Sequence, residues 1–582
     1  MKSLFELKKY FARYKSKLLW GIVCIVISNL GAVYVPLILK DSINALKAKP
    51  ELSLLFRYGV MITLTSLVAG VFRFLISQTI IVVSREIEYD IRQDFWQHIQ
   101  NLSLRYFQNH STGDIMAHAT NDLNSVRSFI GPAVMYAVDT IVRLLIVIAI
   151  MLSLSISLTV YALLPLPILS YIVYKLGGKI HLKYTYIQEK FSELTTKAQE
   201  SFSGIRVIKS YVREESEIED YKVLSQDYLN KNMDMATIQA MFMPVLFMLT
   251  GISIIVVVWS GGLKVMDGSL DLGEISAFVI YLGLLIWPMI AVGWVVNLIQ
   301  QASASMKRLS KMLSEPHDIQ DSPETDFSIK DVKGNIEFRN VSFRYAENLP
   351  YVLKNINLSI PQGCTVAIVG ETGVGKTSMI NLIPRLYDVS EGEIWLDGRN
   401  IKDIPLNVLR RNIGIVPQET FLFSDTLANN IAYGLSETKI DVVEKVAGIS
   451  QLRKDVDSFP HGFDTMLGER GITLSGGQKQ RTCLARALAT DPAILILDDS
   501  FSAVDTRTEE DILKNLKVFM KDRTSLIISH RISTVKDADL IFVLRNGAIA
   551  EQGTHDELVQ KQGLYAELNF KQMLEKELEE LN

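Results

Sequence analysis

Apolar residues come in long unbroken runs over the first half of the chain and in short, evenly interrupted ones over the second. Leu18 to Leu39 is 22 residues without a charge, enough to cross about 30 Å of hydrocarbon as one helix. A second run extends from Tyr58 to Val83 and is interrupted only by Arg73. A third begins near Phe129, holds Asp139 and Arg143, and merges into residues 144–174, which carry no charge over 31 positions. That is too long for one straight span. The pattern therefore predicts the end of a third span, a tight turn at Ser153-Leu154-Ser155-Ile156-Ser157, and a fourth span. Residues near 240–263 and 275–299 supply a fifth and a sixth. An even number of spans puts both ends of this half on one side.

Basic residues orient the spans. Six lie in residues 1–17 and ten in 175–234, whereas 153–157 has none and 264–274 has only Lys264. The N-terminus and the segments 84–130 and 175–234 are expected on the cytoplasmic side; the 40–57 loop, with four basic residues, is the one dissent. In residues 1–17, lysines and arginines alternate with Phe5, Leu7, Tyr10, Phe11 and Tyr14, as in a short amphipathic helix on a membrane surface. The two cytoplasmic segments are too long for plain connectors. They are expected to continue the spans as helices, with breaks at Gly113-Asp114 and Gly204 where short helices would touch the second half of the chain. Asp139 and Arg143, at i and i+4, read either as part of a substrate path or as an ion pair on one helix face. Arg73 carries the same two readings. Trp287 and Trp294 read as core packing or as contacts for an apolar ligand.

Composition agrees with a division into an apolar half and an ordinary one. Hydrophobic residues make up 48% and charged residues 21%, with mean hydropathy +0.20. A net charge of −4 argues against a nucleic-acid partner. Cys24, Cys364 and Cys483 are too far apart to suggest a metal site or a disulfide framework. Residues 313–333 are polar and proline-bearing and read as a linker, which sets the expected boundaries at 1–312, 313–333 and 334–582. Asn335 to Tyr345 then alternates as a strand.

In the second half, Val366-Ala367-Ile368-Val369 reads as a strand and Met379 to Ile383 as a helix. Between them stands Gly370-Glu371-Thr372-Gly373-Val374-Gly375-Lys376-Thr377-Ser378. Strand, glycine-rich loop and helix in this order form the phosphate-binding loop. Its glycines let successive N–H groups converge on one anion, and the helix N-terminus adds its dipole. Lys376 brings a positive charge to the terminal phosphates and Thr377 a hydroxyl for Mg²⁺. The motif alone implies a nucleoside triphosphate and Mg²⁺ as cofactors.

Leu474-Ser475-Gly476-Gly477-Gln478 stands 98 residues after Lys376 and is followed by Lys479-Gln480-Arg481 and the strand Ile494 to Leu497, ending in Asp498. With these motifs in this order, the chain resembles a bacterial ABC exporter half-transporter over essentially its whole length. The resemblance implies a helical membrane domain of six transmembrane helices, type I ABC exporter-like, followed by an α/β P-loop NTPase domain. It implies that the nucleotide is ATP, that Tyr345 stacks on adenine, that Gln418 helps hold Mg²⁺ with Thr377, that Asp498 orders the ion through water, and that His530 meets the γ-phosphate. Thr465 to Gly471, including Gly468-Glu469-Arg470, resembles the loop that touches the membrane domain's coupling helices. Ser502-Ala503-Val504-Asp505 resembles the loop that crosses to a partner cassette, and Ser475 to Gln478 the signature that closes the partner's ATP site.

The family normally places glutamate after the aspartate; here the residue is Asp499. That departure resembles the subunit of a heterodimeric multidrug exporter whose own ATP site is degenerate. The other reading is a homodimer in which Asp499 suffices. The implied partners are a second half-transporter chain, the bilayer of the inner (plasma) membrane and a small amphipathic substrate, drug or lipid. An ATP-gated channel would use the same parts, an importer would split them among separate chains, and the spans exclude a soluble cassette ATPase acting on nucleic acid.

Overall fold

The computed structural model describes residues 2–48, 51–468 and 471–580. The chain divides into two compact units, one of residues Met1–Gln100 and Thr112–Glu315, the other of Asn101–Ser111 and Pro316–Asn582.

The first unit is all helix. Five helices among the described residues are long and apolar enough to cross a membrane: Lys15–Ala48, Leu52–Gln100, Thr112–Leu154, Glu214–Met266 and Leu272–Leu313. The fourth expected span falls on Ile156–Leu163 and Pro165–Ser203, helical in backbone, with residues 166–170 among side chains outside the described set. The expected turn is present. Ser155 leaves the helical region at φ −161° and its hydroxyl accepts from Leu158 N at 3.4 Å, so one serine ends one helix and caps the next. Helix Leu272–Leu313 opens with a capping box between Asp271 and Glu274.

Asp139 and Arg143 are paired at 3.2 Å, and Asn29 of the first span joins them, donating to Asp139 at 2.8 Å and accepting from Arg143 Nε at 2.8 Å. The ion-pair reading describes what the side chains do: polar groups at membrane depth satisfy one another. Trp287 and Trp294 both lie edge-on to Tyr136, with centroids 6.4 and 5.1 Å away. The N-terminal segment, a 3₁₀ turn at Lys2–Leu7 and a helix at Lys8–Arg13, lays its basic face on protein. Lys9, Arg13 and Lys17 pair with Asp94, Asp90 and Glu86 at 3.1, 2.6 and 2.6 Å. Lys9 and Arg13 on this helix and Lys17 at the start of Lys15–Ala48, spaced by four, each meet one of three carboxylates spaced by four on Val82–Gln100.

Short helices interrupt both of the long segments between spans. The first is Leu104–Asn109, which belongs to the second unit together with the rest of Asn101–Ser111. It precedes the expected break because Gly113 sits inside a helix. The second, Ile205–Ser210, follows Gly204 as expected.

The second unit holds two sheets. Four antiparallel strands run in the order β2–β1–β4–β5: β1 Ile336–Phe343, β2 Leu353–Ile360, β4 Glu391–Leu396 and β5 Arg399–Asn400. Six strands run β10–β9–β3–β8–β7–β6: β3 Thr365–Gly370, β6 Ile413–Val416, β7 Ile494–Asp498, β8 Thr524–Ile528, β9 Leu540–Arg545 and β10 Ala548–Gly553. All but β10 are parallel. β7 and β8 are buried at every residue, which is why Ile494–Leu497 of β7 reads as a continuous apolar run instead of an alternating one. The carboxyl ends of β3 and β7 lie on either side of β8, and ligands of such sheets bind beyond those ends.

Candidate nucleotide site

β3 ends at Gly370 and five residues separate it from the helix Lys376–Leu382. The turn between requires glycine at two points. Gly370 has φ +155° and a Cβ there would lie 2.5 Å from the carbonyl oxygen of Leu544. Gly375 has φ +103° and its Cβ would lie 2.9 Å from Leu353. Only glycine fits such a backbone so close to its neighbours. Lys376 is buried and donates to the carbonyls of Gly370 and Glu371, both at 2.8 Å, so the ammonium cross-braces its own loop. Burial lowers its pKa from the ordinary lysine value, opposed by Asp498 and Asp499.

The loop forms one wall of a cavity of about 280 Å³. Thr372, Gly373, Gly375, Lys376, Thr377 and Ser378 line it from the loop; Tyr345, Gln418, Asp498, Asp499 and His530 line it from four other segments. Thr377 Oγ1 donates to Asp498 Oδ2 at 2.8 Å. Burial raises the pKa of Asp498, with Asp499 adding to the rise and the Thr377 bond and Lys376 opposing it. Tyr345 shares a hydrogen bond with Ser378 at 2.7 Å and packs edge-on to Phe343 and Tyr387. Asp499 sits just past the end of β7 at φ +46°, its N–H bonded to Ile528 O at 2.9 Å. The carboxyl end of β7 thus delivers two carboxylates to the cavity from adjacent positions, and β8 leads into His530. Gly370, Glu371 and Val374 shape the loop without lining the cavity.

The other motif residues lie apart from this cavity. Ser475 caps the helix Gly476–Ala489 in a capping box with Gln478, at 2.9 and 3.3 Å. Asp505 caps the helix Thr506–Met520, accepting from Thr508 N at 3.0 Å. Gly476 and Gly477 pack on the loop that carries Asp505: a Cβ on Gly477 would lie 2.9 Å from Ala503 O. Gly468 and Gly471 flank Glu469 and Arg470, which lie outside the described residues.

Two polar residues given no role by the sequence bind these pieces together. Gln480, buried, donates to Ser502 at 2.9 Å and accepts from Ala503 N at 2.9 Å, fixing the Asp505 loop to the signature helix. Arg486, on the same helix, donates to Phe421 O, Asn430 O and Asn430 Oδ1 at 2.8, 2.8 and 2.9 Å, holding the loop that follows Gln418. Gln480 stands inside the quoted Lys479-Gln480-Arg481 run, but its partner is 22 residues away and no local pattern points to it.

Residues 18–289 match the ABC transporter transmembrane region and residues 353–502 the ABC transporter family. The chain is 37% identical over 570 residues to a probable multidrug resistance ABC transporter ATP-binding/permease protein of Bacillus subtilis (strain 168), covering 97% of this chain and 96% of that protein. It is 34% identical over 555 residues to an ATP-dependent lipid A-core flippase of Syntrophus aciditrophicus (strain SB), covering 95% and 92%. Among solved structures, a bacterial Atm1-family ABC exporter with ATP bound superposes with a TM-score of 0.81 at 26% identity, covering 96% of this chain and 99% of that one. The chain belongs to the ABC transporters, as an exporter half-transporter of the type I fold that dimerises, binds ATP and couples its hydrolysis to transport.

Proposed function

We propose that this chain is one half of a heterodimeric exporter that moves an amphipathic substrate, a drug or a lipid, out across the inner (plasma) membrane. Its N-terminus and cassette face the cytoplasm, and its own ATP site is the slow one of the pair. The relatives are named for multidrug resistance and for lipid A-core flipping, which supports amphipathic cargo of either kind.

Phosphoryl transfer needs charge neutralisation and an oriented water more than covalent chemistry. In this reading Lys376 and His530 face the terminal phosphate and Tyr345 offers its ring to adenine. Thr377 and Gln418, with Asp498 through water, would hold Mg²⁺. The fit rests on oxygen donors of the type that ion takes: Thr377 Oγ1 and Asp498 Oδ2 lie 2.8 Å apart and Gln418 lines the same cavity. Bound there, Mg²⁺ would supply further neutralisation of phosphate charge.

The observation that carries the slow-site reading is Asp499. It reaches the cavity from a backbone position just past β7, with a side chain one methylene shorter than the family's glutamate. A carboxylate set back by about 1 Å can cost on the order of 10²-fold in rate. In the same reading, Ser475, Gly476, Gly477, Gln478 and Asp505 face a partner that carries the glutamate. The test is ATP turnover by this chain alone in lipid vesicles. A nearly inactive wild type that Asp499→Glu speeds well above its own level supports the slow site.

The homodimer is the second reading. The loop, Asp498, Asp499, Gln418 and His530 meet in one cavity and the signature is complete, so two copies would build two equal sites. Brisk turnover by the wild type alone, abolished in Asp499→Asn, would establish it and end the heterodimer proposal.

A further inference from the structure

We infer that Gln572, on the last helix of the chain, is a positioning residue for His530, so that docking of the C-terminal helix sets the geometry of the ATP site. The inference rests on the reading of His530 as a residue facing the terminal phosphate.

The helix Leu564–Glu580 is fixed at its start. The Glu551 carboxylate accepts from Leu564 N at 2.6 Å and from Tyr565 N at 3.2 Å, satisfying two N–H groups the helix itself cannot pair. Tyr565 is fully buried and its hydroxyl bonds His555 Nδ1 at 2.8 Å. Seven residues on, two turns along the same face, stands Gln572. Its Oε1 accepts from Ile532 N at 2.8 Å and its Nε2 donates to His530 O. One side-chain amide therefore bonds the backbone on both sides of Arg531.

The site of attachment matters because of what His530 does next to it. The short helix Ile532–Val535 has no side-chain cap from its own N-cap residue, Arg531, so Gln572 pairs an otherwise orphaned N–H. From the other side, the Arg531 guanidinium bonds the buried carboxylate of Glu509, which also accepts from Thr534 Oγ1 at 2.7 Å. Arg531 N donates to Ser529 Oγ at 3.0 Å. The segment from Ser529 to Thr534 is thus held by Glu509 on one flank and by Gln572 on the other. His530, carried between them, lines the cavity with Lys376, Asp498 and Asp499. Only a side chain that both donates and accepts makes both Gln572 bonds. Glutamate loses the donor and turns a carboxylate toward the His530 carbonyl, and leucine loses both.

The experiment compares wild type, Gln572→Ala, Gln572→Glu and His530→Ala in the full chain in lipid vesicles, each also in the Asp499→Glu background so that turnover at this cassette is measured whichever dimer forms. Hydrogen exchange is read at the Ile532 amide and along Thr365–Gly370, and turnover is followed against ATP concentration. For Gln572→Ala we expect Ile532 exchange to rise more than about 10-fold with strand β3 unchanged. We expect kcat to fall about 10-fold toward the His530→Ala level with KM for ATP within about 2-fold. Gln572→Glu should lower kcat as well. Unchanged Ile532 exchange, or a raised KM at unchanged kcat, overturns the inference. Normal turnover in Gln572→Ala where His530→Ala is impaired overturns it alone; normal turnover in His530→Ala overturns the reading of His530 and the inference with it. Exchange decides where turnover is too slow to follow.

Discussion

Arg486 should be more important to the cassette than its absence from every motif suggests, and replacing it by lysine should rescue nothing. Its guanidinium serves three oxygens on two residues at 2.8 to 2.9 Å and lies over the rings of Phe423 and Tyr433, 5.8 and 5.6 Å from their centroids. Burial pushes its pKa below the ordinary arginine value, so the charge itself is costly where it sits. In Arg486→Met that cost disappears, but the carbonyls of Phe421 and Asn430 lose their charged donor. Asn430 Oδ1 keeps its bond from Phe423 N at 2.8 Å. Phe421 O keeps only the Cys483 thiol, at 3.9 Å, and each of the two charge-assisted hydrogen bonds lost costs about 1.5–3 kcal/mol. Offset by the relieved desolvation, the net loss is about 2–4 kcal/mol. Arg486→Lys keeps a charge that is more strongly hydrated than guanidinium and reaches one carbonyl at most, so it should fare no better. For a domain of this size about 3 kcal/mol corresponds to ~6–12 °C in Tm. Thermal unfolding of the full chain in detergent, with hydrogen exchange at Phe423 N as the local probe, measures both. A lysine variant that melts with wild type, or a methionine variant within about 0.5 kcal/mol of it, would refute the claim that a planar three-way fork holds this loop.

Gly375→Ala should abolish ATP binding and lower stability by at least about 1 kcal/mol, since φ +103° and a 2.9 Å approach to Leu353 both exclude a Cβ; fluorescent-nucleotide titration checks it. Asp498→Asn should raise the Tm of the nucleotide-free chain at pH 7 while removing ATP turnover. The pKa of Asp498 is raised in the folded chain, so its stabilising contribution is full below the ordinary carboxylate value of 3.8 and is lost as pH rises through the raised one. The wild-type and Asn melting curves should accordingly converge at low pH, and an Asn variant less stable than wild type at pH 7 would count against the burial argument. Asn29→Leu should destabilise the membrane unit by about 1–2 kcal/mol, because Asp139 and Arg143 each lose a 2.8 Å partner away from water; unfolding in detergent micelles reads it.

What was legible in the chain was whatever chemistry is local. The phosphate loop needs nine consecutive residues, and its glycines are dictated by backbone angles that those same residues define. The turn at Ser155 is likewise settled within a few positions. The strand Ile494 to Leu497 was legible from an apolar run too short for a span and too continuous for a one-faced strand. The N-terminal segment shows where such reasoning fails. Its amphipathic pattern is real, but a stripe of cations at spacing four fits a stripe of carboxylates on protein as well as a lipid surface. Nothing in residues 1–17 says that Glu86, Asp90 and Asp94 repeat the spacing in reverse.

The same limit divides the cassette into motif residues that line the cavity and residues that hold the surrounding loops. Lys376, Thr377, Asp498 and His530 line one cavity; Lys376 and Thr377 were legible from the phosphate-loop motif, and Asp498 and His530 from the family resemblance. Gln480, Arg486 and Gln572 could not be, because each is defined by partners between 22 and 65 residues away and any surface helix carries glutamines and arginines. Some motif residues also do structural work. Ser475 and Asp505 are motif residues whose observed work in the single chain is to cap helices. Alanine at either position therefore removes a cap worth about 1 kcal/mol along with any contact to nucleotide. Asparagine at Asp505, or aspartate at Ser475, keeps a capping oxygen while changing the group offered to a partner. Variants of that kind separate folding from catalysis at these two positions, which the alanine substitutions confound.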